Sequence, residues 1–194
     1  MLIANPRQAP AVLDGVRRLH MFFTTIVVIQ GIHVVEHIIQ LVQVYLFRVS
    51  DDDAMGLLGY VFSFQGTEEW LHLAFNVSFL AALYIVFVAL WRTRQLQLLP
   101  RASVAFFVLF GLGLETWHVI EHAVIINNVI ANDGCPCPGI GDQALGISDT
   151  VLHFGYNAVA YAATVVLFVA AVRLPAWSTQ RRSPRRRASA GPGS

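Results

Sequence analysis

Four long apolar stretches run along the chain at roughly residues 19–47, 69–91, 102–130 and 150–173, each carrying polar residues at helical spacing. Each stretch reaches the ~20 residues that a helix needs to cross a ~30 Å hydrocarbon layer, so four transmembrane helices are predicted. The first and third are the longest and should tilt or project beyond the bilayer. No period-2 alternation of the kind that lipid-spanning strands require is present.

The polar residues within these stretches occur twice. His33-Val-Val-Glu36-His37 returns as His118-Val-Ile-Glu121-His122, 85 residues later. Glu68, His72 and Asn76, spaced by four, return as Asp149, His153 and Asn157, offset by 81. A tandem duplication with a small indel is the reading. It predicts an all-α integral membrane protein: a four-helix bundle of two helical-hairpin repeats related by a pseudo-twofold axis along the membrane normal, because an even number of spans per unit keeps both copies in the same orientation. Residues 19–91 form the first repeat and 102–173 the second. Residues 1–18 and 92–101 are a cytoplasmic N terminus and loop, and 174–194 a disordered, basic cytoplasmic tail.

Helical angles aim these residues at one centre. At about 100° per residue, Gln30, His33, Glu36, His37, Gln40 and Gln43 occupy a sector about 140° wide. Their counterparts are Glu115, His118, Glu121, His122, Ile125 and Asn128, with polarity lost only at Ile125. The stripes on spans two and four complete a bundle with a polar interior and a Val-, Ile-, Leu- and Phe-rich exterior facing lipid.

Composition and charge add the orientation. The chain is 56% hydrophobic and 13% charged, with a mean hydropathy of +0.58, well outside the range of a water-soluble domain. All thirteen basic residues are Arg. Twelve lie before span one (Arg7, Arg17, Arg18), between spans two and three (Arg92, Arg94, Arg101) or after span four (Arg173 onwards), whereas the other two loops carry Asp51, Asp52, Asp53, Asp133 and Asp142. The positive-inside rule puts both termini in the cytoplasm of what reads as a bacterial plasma membrane. Arg17-Arg18 before an apolar run resembles a signal sequence, but the run is long and polar-studded, so an uncleaved span is expected. At ~1.5 Å per residue, the two stripes of each repeat overlap in the outer half of the bilayer. The arginine tail suits anionic lipid or topology and does not specify nucleic acid.

Ionisable groups inside apolar helices are costly and need partners. Histidines at i, i+4 share a helix face at chelating spacing, and a Glu between them joins the same fan. The expected metal ligands are therefore His33, Glu36, His37, His72, His118, Glu121, His122 and His153, with Glu36 and Glu121 as the catalytic carboxylates that accept protons. Gln30, Gln40, Glu68, Asn76, Glu115, Asp149 and Asn157 would orient the imidazoles. Imidazole with carboxylate suits one or two ions, iron favoured and zinc or copper also fitting. The leading expectation is a non-haem di-metal oxidoreductase acting on a lipid, quinone or other apolar substrate, with a redox partner. A b-type haem held by His72 and His153, a metal-ion or proton transporter and plain interhelical hydrogen-bond glue stay open. Glu115 either carries protons inward or pairs with Gln30.

Two resemblances attach to these residues. The paired His–Glu layout is similar in architecture to carboxylate-bridged di-metal helix bundles, although those use Glu-xx-His. HxxEH also resembles the zinc motif of inverzincin peptidases, which implies His33 and His37, or His118 and His122, as ligands and Glu36 or Glu121 as base. Here the motif is duplicated and lies within apolar spans, a departure from that family. Cys135-Pro-Cys137 either captures a soft ion, bonds a partner or shapes a loop; a disulfide across one residue would be strained. The chain has no phosphate-cradling glycine loop and no nucleophile elbow.

Overall fold

A computed structural model describes residues 9–62, 68–132 and 139–174, apart from the side chains of residues 9–13, 52, 62, 68 and 69. All of its regular structure among the described residues is helical. Helix α1 spans Ala9–Tyr45. A short helix α2, Gly56–Phe62, precedes α3, Glu68–Arg92. The third long element combines α4 (Arg101–Phe106), a π-helical segment (Phe107–Gly113) and α5 (Leu114–Ala131). A second short helix α6, Ile140–Leu145, leads into α7, Asp149–Val172. Four segments are long and apolar enough to cross a membrane: Asp14–Tyr45, Trp70–Arg92, Arg101–Ala131 and Asp149–Val172. The first and third are the longest, at 32 and 31 residues against 23 and 24.

Local chemistry sets the ends. Ser148 caps α7, its hydroxyl oxygen accepting from Val151 N–H at 3.4 Å, and satisfies one of the amides that a helix start leaves open. The π segment was not anticipated from the sequence. It lies between the apolar lower part of the third span and Glu115, so the register read for residues 115–128 is unaffected by it.

α1 packs chiefly on α7 and α3 chiefly on α5, while α1–α3 and α5–α7 contacts close the ring of four. Ala160, Ala163, Thr164 and Ala171 are fully buried on α7, and small residues of this kind let helix backbones approach closely. The bundle interior has two zones. Toward the arginine-rich ends of the spans it is apolar, built from Phe23, Ile26, Phe79, Leu83, Val86, Leu90, Phe107 and Leu167. Toward α2 and α6 it is polar. On α1 the contrast is complete: Gln30, His33, Glu36, His37 and Gln40 are buried, whereas Ile29, Ile32, Val35 and Ile38 are 44–58% exposed. The exterior is thus the apolar side, the arrangement hydrocarbon demands and water does not.

Candidate metal centre

The i, i+4 spacing stacks two imidazoles on one face of each helix. In α1, His33 Nε2 and His37 Nε2 are 3.3 Å apart; in α5, His118 Nε2 and His122 Nε2 are 3.1 Å apart. Two nitrogens bound to one ion at ~2.0–2.1 Å would stand about 2.8–3.4 Å apart at octahedral or tetrahedral angles, so both pairs are set at chelating distance. A neighbouring helix brings a further histidine toward each pair, and for the second pair it completes a set. His153 of α7 lies 5.2 Å from His118 and 4.5 Å from His122 by ring centres. Donor atoms of His118, His122 and His153 all fall within 4.8 Å of one another, and all three residues are buried. His72 of α3 lies 5.9 Å from His33 and 5.7 Å from His37. His72 also stacks on His122 at 5.7 Å, as near as it stands to His37.

Polar partners hold the rings. Asp149 Oδ1 is 2.9 Å from His153 Nδ1. Glu115 Oε2 is 3.4 Å from His118 Nδ1, so Glu115 pairs with a histidine and not with Gln30. Gln30 Nε2 instead donates to Asn157 Oδ1 at 2.9 Å. Asn157 Nδ2 sits 2.9 Å from His37 Nε2, tying α7 to the histidines of α1, and Gln40 lies within hydrogen-bonding reach of His37. Asn76 is fully buried but neither of its side-chain polar atoms has a partner. The side chain of Glu68, the pair Cys135 and Cys137, and the basic tail beyond residue 174 lie outside the described residues.

The glutamates do something the sequence did not reveal. Leu58 N–H of α2 donates to Glu36 Oε1 at 2.5 Å, and Gly141 N–H of α6 donates to Glu121 Oε1 at 2.7 Å. Each buried carboxylate therefore anchors a short loop helix. Gln43 adds a second tie, its Oε1 accepting from Gly56 N–H at 2.9 Å. A Cβ at Gly56 or Gly139 would intrude on Glu36 Oε1 or Glu121 Oε1 respectively, so both loops need glycine where they pass over the carboxylate. The second oxygen of Glu121 is buried and unpartnered, as are Nδ1 of His33 and His37. Buried groups in that state cost about 1–3 kcal/mol each, and a ligating cation would satisfy Glu121. The donor set therefore fits a metal ion.

Sequence reasoning also missed the aromatic neighbours. Phe75 stacks on His33 at 4.0 Å. Tyr156 lies 5.2 Å from His118 and its hydroxyl accepts from Trp117 Nε1 at 3.0 Å. Both follow a site histidine by three residues, a spacing that shares its helix face and could have flagged them.

In α6, Asp142 Oδ2 accepts from Gly139 N–H at 3.1 Å. Burial first, and then the nearby Asp149 charge, push its carboxyl from the usual 3.8 up to about 6. A raised folded-state value means the fold binds that proton more tightly than the open chain does. Its contribution is therefore present below pH 3.8 and is lost as pH rises to about 6. We expect hydrogen exchange of the α6 amides, corrected for intrinsic rates, to quicken across that window, and Asp142→Asn to remove the dependence.

No protein family, curated protein or solved structure matches this chain.

Proposed function

We propose that the chain is an integral membrane metal protein, a non-haem di-metal oxidoreductase acting on a lipid, quinone or other apolar substrate. The observation that carries this reading is the triad His118, His122 and His153, with mutually close donor atoms in a buried setting, beside His33, His37 and His72. Supporting a tandem-hairpin origin, Glu36 and Glu121 each meet an amide of their own loop helix, and Gly56 and Gly139 each border that carboxylate. The arginines at one end of the spans support cytoplasmic termini and a centre in the outer half of the membrane.

Imidazole with carboxylate suits iron, with zinc or copper as alternatives. A bound redox ion would supply electron cycling or dioxygen activation. The protein's own part is to hold the imidazoles through Asp149 and Glu115, to exclude water, and to offer the Glu121 oxygen left free as a ligand or proton acceptor. One observation weighs against the transporter reading. The apolar core that fills the arginine-rich half of the bundle opposes an ion path through it.

Elemental analysis and a visible spectrum of the purified protein test the proposal together. The expected result is one or two ions per chain, iron foremost, and no Soret band. A Soret band would select haem, and protein free of any transition ion after loading would refute the metal reading.

A further inference from the structure

The two triads differ in one respect that bears on electron flow. Tyr156 lies 5.2 Å from the His118 ring and 6.0 Å from the His153 ring. Its hydroxyl oxygen accepts the indole N–H of Trp117 at 3.0 Å. Trp117 is 38% exposed on the apolar exterior, whereas His118 is fully buried. Phenol and indole thus form a hydrogen-bonded pair that lies between the buried triad and the surface. At the corresponding offsets of 81 and 85 residues, the first hairpin has Phe75 against His33 and Ile32. Phe75 serves the packing need just as well, and neither residue is readily oxidised. What the second hairpin adds is the redox-capable pair.

We infer that Trp117 and Tyr156 form a one-electron port joining the His118–His122–His153 site to a hydroquinone-type donor in the lipid phase; this rests on the metal reading above. A hydroquinone at the exposed edge of Trp117 gives one electron, which passes through the indole and the Tyr156 ring by tunnelling to an oxidised transition ion held by the triad, lowering that ion's charge by one. The hydroquinone, having lost one electron, releases one proton to the aqueous phase, and the Trp117 Nε1–H stays in its bond to Tyr156. The exposed indole on an apolar face suits a flat, lipid-soluble donor.

The full chain in detergent, loaded with ferrous ion and oxidised with ferricyanide, is mixed with duroquinol, and iron reduction is followed by stopped flow. Trp117→Phe should keep the wild-type iron content yet be reduced about tenfold more slowly. Samples frozen after brief peroxide treatment should show an indole radical by electron paramagnetic resonance in wild type and none in Trp117→Phe. Tyr156→Phe, which breaks the indole bond but keeps the indole, should slow reduction in the same direction and serves if Trp117→Phe loses iron. Normal iron content with unchanged rates and radical signals in these variants overturns the port and leaves the metal reading standing. A wild type that takes up zinc but no redox-active ion overturns the port as well, and one that takes up no ion overturns both.

Discussion

Replacing His118 by Ala is expected to abolish metal binding at the triad of the second hairpin. His118 is fully buried, sits 3.1 Å from His122 Nε2, and is one of three imidazoles with mutually close donor atoms. Loss of a residue that merely orients a ligand typically costs about 10–100-fold in metal affinity, so loss of a direct ligand should exceed that. The pair His33→Ala and His118→Ala decides stoichiometry. If each triad holds its own ion, either variant should retain about half of the metal measured in the wild type. If the contact between His72 and His122 makes one shared centre, either change should release everything. Unaltered metal content in both variants, measured by elemental analysis on folded protein, would mean that these histidines only glue helices together.

The second large effect concerns the covers over the centre. Gly56 has φ +67°, and its added Cβ would collide with Glu36 Oε1. Gly56→Ala is therefore expected to incur about 1–2 kcal/mol for the left-handed backbone and a further 1–3 kcal/mol or so for displacing a buried carboxylate from Leu58 N–H. Gly139 has an ordinary φ of −70°, so Gly139→Ala should incur only the second cost, through Glu121 and Gly141. Thermal denaturation in detergent should rank wild type above Gly139→Ala and that above Gly56→Ala. Equal losses for the two variants would show that backbone strain is not a factor at Gly56, and no loss in either would remove the anchoring role of the carboxylates. Glu121→Gln separates charge from shape, because an amide oxygen can still accept from Gly141 N–H but binds a cation more weakly.

Much of the site was legible because helices obey one period. The spacing of His33, Glu36 and His37 places them on one face whatever they pack against, and an apolar outer face then forces that polar face inward. The same reasoning placed Gln30, Gln40, Asn76 and Asn157 in the interior. It could not choose partners. Asn157 bonds to His37 of the other hairpin, Glu115 turns to His118, and Asn76 bonds to nothing, because side-chain pairing depends on inter-helix offsets that no linear spacing encodes. Nor could it see that one oxygen of Glu36 and one of Glu121 are spent on loop amides. That outcome depends on short helices, α2 and α6, folding back over the bundle.

The sequence by itself determined four apolar spans, the inward polar stripe on each and the six histidines as a group, since each follows from helical periodicity and the cost of polar groups in hydrocarbon. Tertiary structure alone decided that His118, His122 and His153 bring their donor atoms together, that the glutamates latch the loop helices, and that Tyr156 with Trp117 adjoins that triad. Those features arise from the relative rotation and depth of neighbouring helices and from loop paths, which are settled by packing across the bundle.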